Sequence, residues 1–167
     1  EQRIAELEAE LAAARVAATT DPLTGTLNRR GFETVGQGEL ARARRKGQEL
    51  ALAHLDLDGF KQINDAYGHA VGDEVLRHVA QQVRLSLRPG DLLGRMAGDE
   101  IAVLVRHLRN TEGAAAVARH LIAATRKPWR TPDGMEVVAG VSIGVAMFPR
   151  HASKAEQLLQ AAHSAVY

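Results

Sequence analysis

Two acidic clusters are the residues of this sequence best suited to chemistry. Asp56 and Asp58 end a short apolar run, and Asp99 and Glu100 follow a small-residue turn. Either cluster alone is simply explained as turn residues, because Asp is common in turns. If the strands that carry them are neighbours, however, the carboxylates converge and raise one another's pKa, which a divalent cation relieves. Since Mg²⁺ is usually held by carboxylates together with substrate phosphates, the pair of clusters predicts a nucleoside triphosphate site.

The segment after Asp58 strengthens this prediction. Residues 59–61 are expected to form a tight turn whose backbone N–H groups contact phosphates, with the positive charge of Lys61 beside them. Asn64 and Asp73 carry groups that can pair with guanine, because a carboxylate accepts from both donors of its edge. Adenine lacks that donor pair and would leave the charge unpaired. Asp73 is also placed to be the N-cap of the next helix, a structural role compatible with the first.

The elements that must position these residues follow from the spacing of apolar side chains. Helices are predicted over residues 1–18, 31–46, about 75–87, 114–127 and 153–167, and strands over 50–56, 92–96, 100–106 and 137–147. Strands and helices alternate around a hairpin whose turn is at Ala97 and Gly98. This order predicts an α/β (α+β) fold of the ferredoxin-like kind, with a mixed sheet flanked by helices.

The first predicted helix has the spacing of a coiled coil. Its small and apolar residues recur every three or four positions, as in an a/d seam: Ile4, Leu7, Leu11, Ala14 and Ala18. The alternative is an amphipathic helix that packs on its own domain. The alanines favour the coiled coil, because they make a narrow stripe rather than a wide apolar face.

Composition excludes several functions. The net charge is +1, whereas a nucleic-acid surface is usually strongly basic, so no nucleic-acid partner is expected. There is no cysteine, so a metal must bind oxygen or imidazole, which favours Mg²⁺ or Mn²⁺. No apolar run approaches the roughly 20 residues that span a bilayer. Because the sequence begins at Glu1 rather than Met, we expect a longer protein whose sensor domain, and any membrane anchor, lies upstream.

Four motifs resemble those of GGDEF domains, the family of diguanylate cyclases. In chain order they are Asp21-Pro22-Leu23-Thr24-Gly25 with Leu27-Asn28-Arg29-Arg30, Asp56 to Asp65 with Gly68-His69 and Gly72-Asp73, Arg95-Met96-Ala97-Gly98-Asp99-Glu100-Ile101, and Val141-Ser142-Ile143-Gly144-Val145-Ala146. The resemblance implies a coiled-coil signalling helix over residues 1–19 and a cytoplasmic GGDEF domain of the nucleotidyl-cyclase type over 20–167, with its C-terminal end cut off.

The resemblance also implies roles for individual residues. Mg²⁺ or Mn²⁺ would be held by Asp56, the Leu57 carbonyl, Asp99 and Glu100. GTP would be bound by Phe60, Asn64, His69, Asp73 and Gly98, with catalysis by Lys61, Asp99 and Glu100. The implied reaction joins two GTP into cyclic di-GMP and releases two pyrophosphates. Each domain would hold one GTP, so the implied active form is a homodimer paired through the N-terminal helix.

A product-inhibition site and three departures complete the comparison with the family. Arg88 and Asp91 form the family's Arg-x-x-Asp motif, to which Arg119 would add a second arginine, and cyclic di-GMP would bind there. Ala97 replaces the first signature glycine and Ile101 the usual aromatic residue, which we expect to be a core adjustment. His163 replaces an acidic residue that is usual in the last helix. These departures leave one alternative open, a degenerate GGDEF domain that binds cyclic di-GMP or GTP without catalysis.

Overall fold

The fold is known from a computed structural model that describes residues 1–106 and 113–165. Its elements are α1 (Gln2–Thr19), α2 (Arg29–Lys46), β1 (Leu50–Asp58), α3 (Phe60–Tyr67), α4 (His69–Ser86), β2 (Leu92–Ala97), β3 (Glu100–Val105), α5 (Ala114–Thr125), β4 (Trp129–Arg130), β5 (Glu136–Val137), β6 (Gly140–Phe148) and α6 (Ala155–Ser164). Every predicted helix and strand is present, with shifts at its ends. The last two residues of the predicted final helix, 166 and 167, lie outside the described part of the chain.

The main sheet has the strand order β2-β3-β1-β6, which confirms the ferredoxin-like prediction. All three pairings between these strands are antiparallel. Among the described residues, one isolated parallel bridge, between Leu27 and Gly94, lies outside the pairings of these strands. In the pairing of β1 with β3, Asp56 lies directly opposite Glu100, so the fold brings the two acidic segments to one end of adjacent strands.

Side chains of β1 alternate between two cores, one on each face of the sheet. Ala51, Ala53 and Leu55 pack with α4 and α5 on one face. Leu50 and Leu52 pack with α2 and α6 on the other. Because β1 is a central strand with both faces covered, it holds its terminal residues in a fixed position, and Asp56 lies among these.

The N-terminal helix α1 stands apart from these cores. None of its residues is buried, and the side chains of Ile4, Leu7 and Leu11 are about half exposed or more. The alternative that α1 packs on its own domain is therefore wrong, and an unpartnered apolar stripe fits the predicted coiled coil. Within the described ranges, no helix is both long and apolar enough to cross a membrane.

Three local predictions need correction. The expected tight turn at residues 59–61 is instead the start of α3, with Gly59 as its N-cap in the left-handed conformation at a φ of 67°. Asp73 is not an N-cap, because α4 begins at His69 and Gly68 precedes it. The predicted strand over 137–147 is divided, since its first part pairs with β4 in a separate two-stranded sheet.

Candidate active site at the end of the central strands

The structure brings the two acidic segments together. One ligand oxygen from each of Asp56, Asp99 and Glu100 lies within 4.8 Å of the others. Asp56 and Glu100 face each other across the β1–β3 pairing, and the Leu57 N–H donates to the backbone carbonyl of Asp99 at 3.1 Å. That hydrogen bond fixes the signature turn against the end of β1. Three carboxylates and a neighbouring backbone therefore form one compact group.

The electrostatics of this group favour a cation. Burial raises the pKa of Asp56 above its usual range, and the charges of Glu100 and Asp99 raise it further. The nearby His54 and His163 act in the opposite direction, without cancelling the increase. Carboxylates that raise one another's pKa are stabilised by a bound divalent ion, because the positive charge favours the ionised form of each carboxylate. The donor set is all oxygen, which is what Mg²⁺ and Mn²⁺ prefer.

Asp58 does not join this group. Its carboxylate accepts a hydrogen bond of 2.6 Å from the Ser142 hydroxyl on the adjacent strand β6. The first acidic cluster of the sequence is thus divided: Asp56 faces the signature turn, and Asp58 ties the ends of β1 and β6 together.

The predicted guanine-binding residues lie at the junction of α3 and α4. Gly72 packs so closely against Asn64 that a Cβ at position 72 would collide with the Asn64 Oδ1 atom. Among the described residues, this buried Oδ1 has no hydrogen-bond partner. His69 and Asp73 are exposed and lie one turn apart on the same side of α4. An uncommitted amide beside an exposed carboxylate fits a ligand that has both donors and acceptors, as guanine does.

The expected phosphate-binding segment also has a suitable local structure. Because α3 begins at Phe60, the N–H groups of its first turn have no partner within the helix and form a ready anion site. Lys61 is the second residue of α3 and is exposed. Phe60 packs partly against the core and so anchors the start of the helix. The predicted N–H donors are present, although a helix supplies them rather than a turn.

Arg95 holds the signature turn from behind. Its Nε and Nη2 atoms donate to the Gly98 carbonyl at 3.1 and 2.9 Å, and its Nη1 donates to Asp21 at 3.1 Å. Ile101 is 1% exposed, which confirms that the residue after the turn belongs to the core. Ala97 is exposed. One departure from the signature is therefore in the core and the other is at the surface of the turn.

Asp21 connects this turn to the end of α1. Burial raises the pKa of Asp21, but hydrogen bonds from the N–H and hydroxyl of Thr24 and the charge of Arg95 outweigh this effect. The pKa of Asp21 is therefore below its usual value. The Asn28 side chain, in the same opening motif, donates to the Ala18 carbonyl at the end of α1 and accepts from the Gly31 N–H at the start of α2.

Comparison with known proteins shows the family. A family model, "Diguanylate cyclase, GGDEF domain", matches residues 18–167. The chain belongs to the GGDEF-domain family. It is 41% identical over 167 residues to the diguanylate cyclase TpbB of Pseudomonas aeruginosa, covering 98% of this chain and 38% of TpbB. This chain spans about two fifths of the length of such curated relatives.

Solved GGDEF structures have the same fold. A structure of TpbB from Pseudomonas aeruginosa comprising only the GGDEF domain is 40% identical and covers 86% of this chain and 84% of that one, with a TM-score of 0.79. The coiled coil and GGDEF domain of DgcB from Caulobacter crescentus, solved in complex with c-di-GMP, covers 98% of this chain and 86% of that one, with 28% identity and a TM-score of 0.82. The second match extends over α1 and is itself a coiled coil followed by a GGDEF domain.

A second candidate site on this GGDEF domain surrounds the Arg-x-x-Asp motif. A cavity of about 400 Å³ is lined by residues of the loop before β2 and of α5, which include Arg88, Asp91 and His120. Both carboxylate oxygens of Asp91 accept backbone N–H groups, from Arg88 at 3.0 Å and from Arg106 at 2.9 Å. Asp91 thus shapes the loop, and the exposed Arg88 side chain, whose Nη2 donates to the Arg106 carbonyl at 3.2 Å, lines the cavity. Arg119 is exposed on α5 but does not line this cavity, so its predicted contribution stays a prediction.

His54 is a residue of the site that the sequence motifs did not indicate. It is 5% exposed on β1, and its Nε2 lies 3.5 Å from a carboxylate oxygen of Glu100. Burial lowers the pKa of His54, and the charge of His163 lowers it further, against the opposing effect of Asp56 and Glu100. The available signal was a histidine two positions before Asp56 within an apolar strand, since residues two apart share one face of a sheet.

Proposed function

We propose that this GGDEF domain is a diguanylate cyclase that condenses two GTP into cyclic di-GMP and releases two pyrophosphates. The observation that supports this most strongly is the convergence of Asp56, Asp99 and Glu100 at the end of two paired strands. Carboxylates that raise one another's pKa are unfavourable for a purely structural domain, and they suit a metal–nucleotide complex. The likeness to TpbB, a diguanylate cyclase 41% identical over 167 residues, agrees with this activity.

The metal ligands would be Asp56, Asp99, Glu100 and the backbone carbonyl of Leu57. These groups fit Mg²⁺ or Mn²⁺, because the donors are oxygen and the pKa of Asp56 is raised in the absence of an ion. A bound divalent ion would neutralise phosphate charge and favour the deprotonated form of the attacking hydroxyl.

The remaining site residues would bind and orient GTP. Asn64 and Asp73, with His69 beside them, would pair with the guanine edge. Phe60 and Lys61 at the start of α3, with Gly98 in the signature turn, would lie along the triphosphate. Lys61 would offset the negative charge that develops on the phosphates, and Asp99 would accept the proton of the 3′-hydroxyl, with Glu100 beside it.

One domain would hold one GTP, so the reaction needs two copies that face each other. The exposed stripe of Ile4, Leu7 and Leu11 on α1 supports a parallel coiled coil that brings two GGDEF domains together. Sedimentation at increasing protein concentration tests this assembly, and a monomer at every concentration would contradict it.

An assay with GTP and Mg²⁺ tests the activity, with the product identified by chromatography and mass spectrometry. We expect cyclic di-GMP from GTP and no corresponding product from ATP, because adenine lacks the donors that Asp73 requires. Isothermal titration with a non-hydrolysable GTP analogue separates the two candidate functions. Binding without turnover would instead identify a non-catalytic GTP receptor, and equal affinity for the ATP analogue would exclude the guanine assignment.

Product feedback at Arg88 and Asp91 is the second part of this proposal. The cavity beside Arg88 supports it, because an exposed guanidinium can pair with phosphate and stack on guanine. Arg119 would approach from α5. The coiled coil and GGDEF domain of DgcB, a relative with 28% identity, forms a complex with c-di-GMP, which agrees with binding of the product by a domain of this fold.

Arg88→Ala tests the feedback site. Loss of one charge-assisted contact should weaken cyclic di-GMP binding about tenfold or more. GTP binding should not change, because Arg88 is outside the nucleotide-binding segment. Arg130→Ala, at an exposed arginine paired with Glu136, is the matched control. Unchanged cyclic di-GMP affinity in Arg88→Ala would show that Arg88 does not bind the product and that the motif only shapes the loop.

A further inference from the structure

Two histidines lie beside the carboxylate group, on the face of the sheet that α6 covers. His54 is two residues before Asp56 on β1, so both side chains share one face, and it is buried. His163 is in the last turn of α6 and is exposed. Their rings meet edge to face, with centroids 4.4 Å apart. The chain thus places two imidazoles next to a carboxylate already assigned to the Mg²⁺ site.

We propose that His54, His163 and Asp56 form a second metal site, which binds a transition-metal dication of the Zn²⁺ class. One ligand atom from each of the three residues lies within 4.8 Å of the others. The His163 Nδ1 atom is 3.3 Å from the His54 Nε2 atom. Two ligands of a tetrahedral ion with bonds of roughly 2.0–2.1 Å are themselves about 3.3–3.4 Å apart. The two nitrogens are therefore close enough to share one ion, once the rings turn so that a lone pair of each points at it.

A simple hydrogen bond between the rings explains the geometry less well. The His163 Nδ1 atom is almost equally far from both ring nitrogens of His54, at 3.4 and 3.3 Å. The lone pairs of those two nitrogens point apart in the ring plane, so one N–H cannot be directed at both. Glu100 lies 3.5 Å from His54 Nε2, beyond an ordinary N–H···O distance. The described neighbours therefore give this buried ring only long polar contacts, and a shared ion would satisfy it.

The chemistry of the ligands separates the two metal sites. Imidazole suits Zn²⁺, Co²⁺ and Ni²⁺, whereas Mg²⁺ and Ca²⁺ prefer all-oxygen ligands. The site of Asp56, Asp99 and Glu100 is all oxygen, and the proposed site has two nitrogens and one carboxylate. Asp56 has two oxygens and would bridge both sites. The proposal depends on these residues alone and holds whether or not the domain makes cyclic di-GMP.

The test is titration of the purified metal-free protein with Co²⁺, whose visible absorption reports tetrahedral coordination. Zn²⁺ is then added to displace it. We expect one equivalent of tetrahedral Co²⁺ in the native protein. In His163→Ala the affinity should fall by roughly tenfold or more. His54→Gln should have the same effect. His78→Ala is the matched control, because His78 lies on α4, on the opposite face of the sheet, where its Nε2 atom is hydrogen-bonded to the Lys127 carbonyl.

A separate Mg²⁺ titration, followed by isothermal calorimetry, distinguishes ligation from support of Asp56. Unchanged Mg²⁺ affinity in His163→Ala, together with weakened Co²⁺ binding, supports the proposal. Equal Co²⁺ affinity in native protein and His163→Ala, or equal loss of both metals, overturns it. Because His163 is exposed, this variant should fold, and its circular dichroism spectrum checks that it does. His163→Ala therefore decides the outcome even if the buried His54→Gln variant does not fold.

Discussion

Asp21 and Asp56 lie in neighbouring parts of one site and meet opposite environments. Asp21 accepts hydrogen bonds from Thr24 and is paired with Arg95, and its pKa is below the usual value. Asp56 is partly buried beside Glu100 and Asp99, and its pKa is raised. The first carboxylate is satisfied by its protein neighbours, whereas the second lies beside two further carboxylates. This difference is the one expected between a structural acid and the metal ligand that we propose.

Arg95 links the two regions without making them equivalent. Its guanidinium donates to the Gly98 carbonyl on one side and to Asp21 on the other. Arg95 therefore fixes the signature turn relative to the opening motif. The Asn28 side chain, in the same opening motif, makes a separate hydrogen bond to the Ala18 carbonyl at the end of α1. A structural carboxylate therefore positions the turn on which Asp99 is carried. The comparison predicts that mutations of Asp21 have their main effect on the stability of the fold. Mutations of Asp56 should have their main effect on ligand binding.

The largest expected effect is that of Asp56→Asn on turnover. Loss of a metal ligand removes charge stabilisation worth several kcal/mol, so turnover of GTP should fall about 10²-fold or more. The metal-free domain should become more stable near neutral pH, because repulsion with Glu100 and Asp99 is relieved. Product formation and thermal unfolding measure the two effects. Asp133→Asn, at an exposed carboxylate between β4 and β5, is the control for turnover and should leave product formation unchanged. Native-level turnover in Asp56→Asn would show that this carboxylate is not a metal ligand.

Asp21→Asn should have a smaller effect than Asp56→Asn, and it should destabilise the metal-free fold, whereas Asp56→Asn should stabilise it. The variant loses the ion pair with Arg95 and weakens the hydrogen bonds from Thr24, so the free energy of unfolding should fall by about 1–3 kcal/mol. Mg²⁺ affinity should stay close to that of the native protein, since Asp21 is not one of the clustered carboxylates. Denaturant unfolding and calorimetry measure these quantities. Greater loss of Mg²⁺ binding than of stability would contradict the structural role.

The smallest expected effects are in the pH dependence of stability, and they differ in sign. The folded pKa of Asp21 lies below its unfolded value of about 3.9. Its contribution is therefore present above that pH and is lost as the pH falls through the folded pKa. The folded pKa of Asp56 is raised, so its contribution is complete below pH ~3.9 and is lost as the pH rises through the folded pKa.

Unfolding of metal-free protein between about pH 3 and 7 measures this contrast. The destabilisation by Asp21→Asn should shrink toward low pH. The stabilisation by Asp56→Asn should grow as the pH rises above ~4. Parallel curves for the two variants would show that the two carboxylates have similar environments.

Much of this fold and site follows from the sequence, and the exceptions have physical reasons. The convergence of Asp56 and Glu100 follows from the element order, because a ferredoxin-like sheet places β3 beside β1. Helix α3 escapes prediction because it has eight residues and only Ile63 is buried, too few for a helical period to appear. The role predicted for Asp73 as an N-cap is wrong because α4 begins four residues earlier, at Gly68-His69.

Two further features depend on contacts between distant residues and could not be found from local patterns. The meeting of His54 with His163 joins residues 109 positions apart. It exists because α6 packs on the face of the sheet toward which His54 points. The role of Asp91 is similar, since one of its oxygens accepts from Arg106, which is 15 residues away. The ligand contact that the motif predicts for Asp91 stays a prediction, and the structure adds that both of its carboxylate oxygens hold the loop.

The central claim is that the group of Asp56, Asp99 and Glu100 binds a divalent ion together with GTP. The most direct measurement is the change in thermal stability when Mg²⁺ and a non-hydrolysable GTP analogue are added to native protein, Asp21→Asn and Asp56→Asn. A ligand at 100 times its dissociation constant should stabilise the folded state by about 2.7 kcal/mol. We predict this increase for native protein and Asp21→Asn, and little or none for Asp56→Asn. An equal increase in all three proteins would contradict the account.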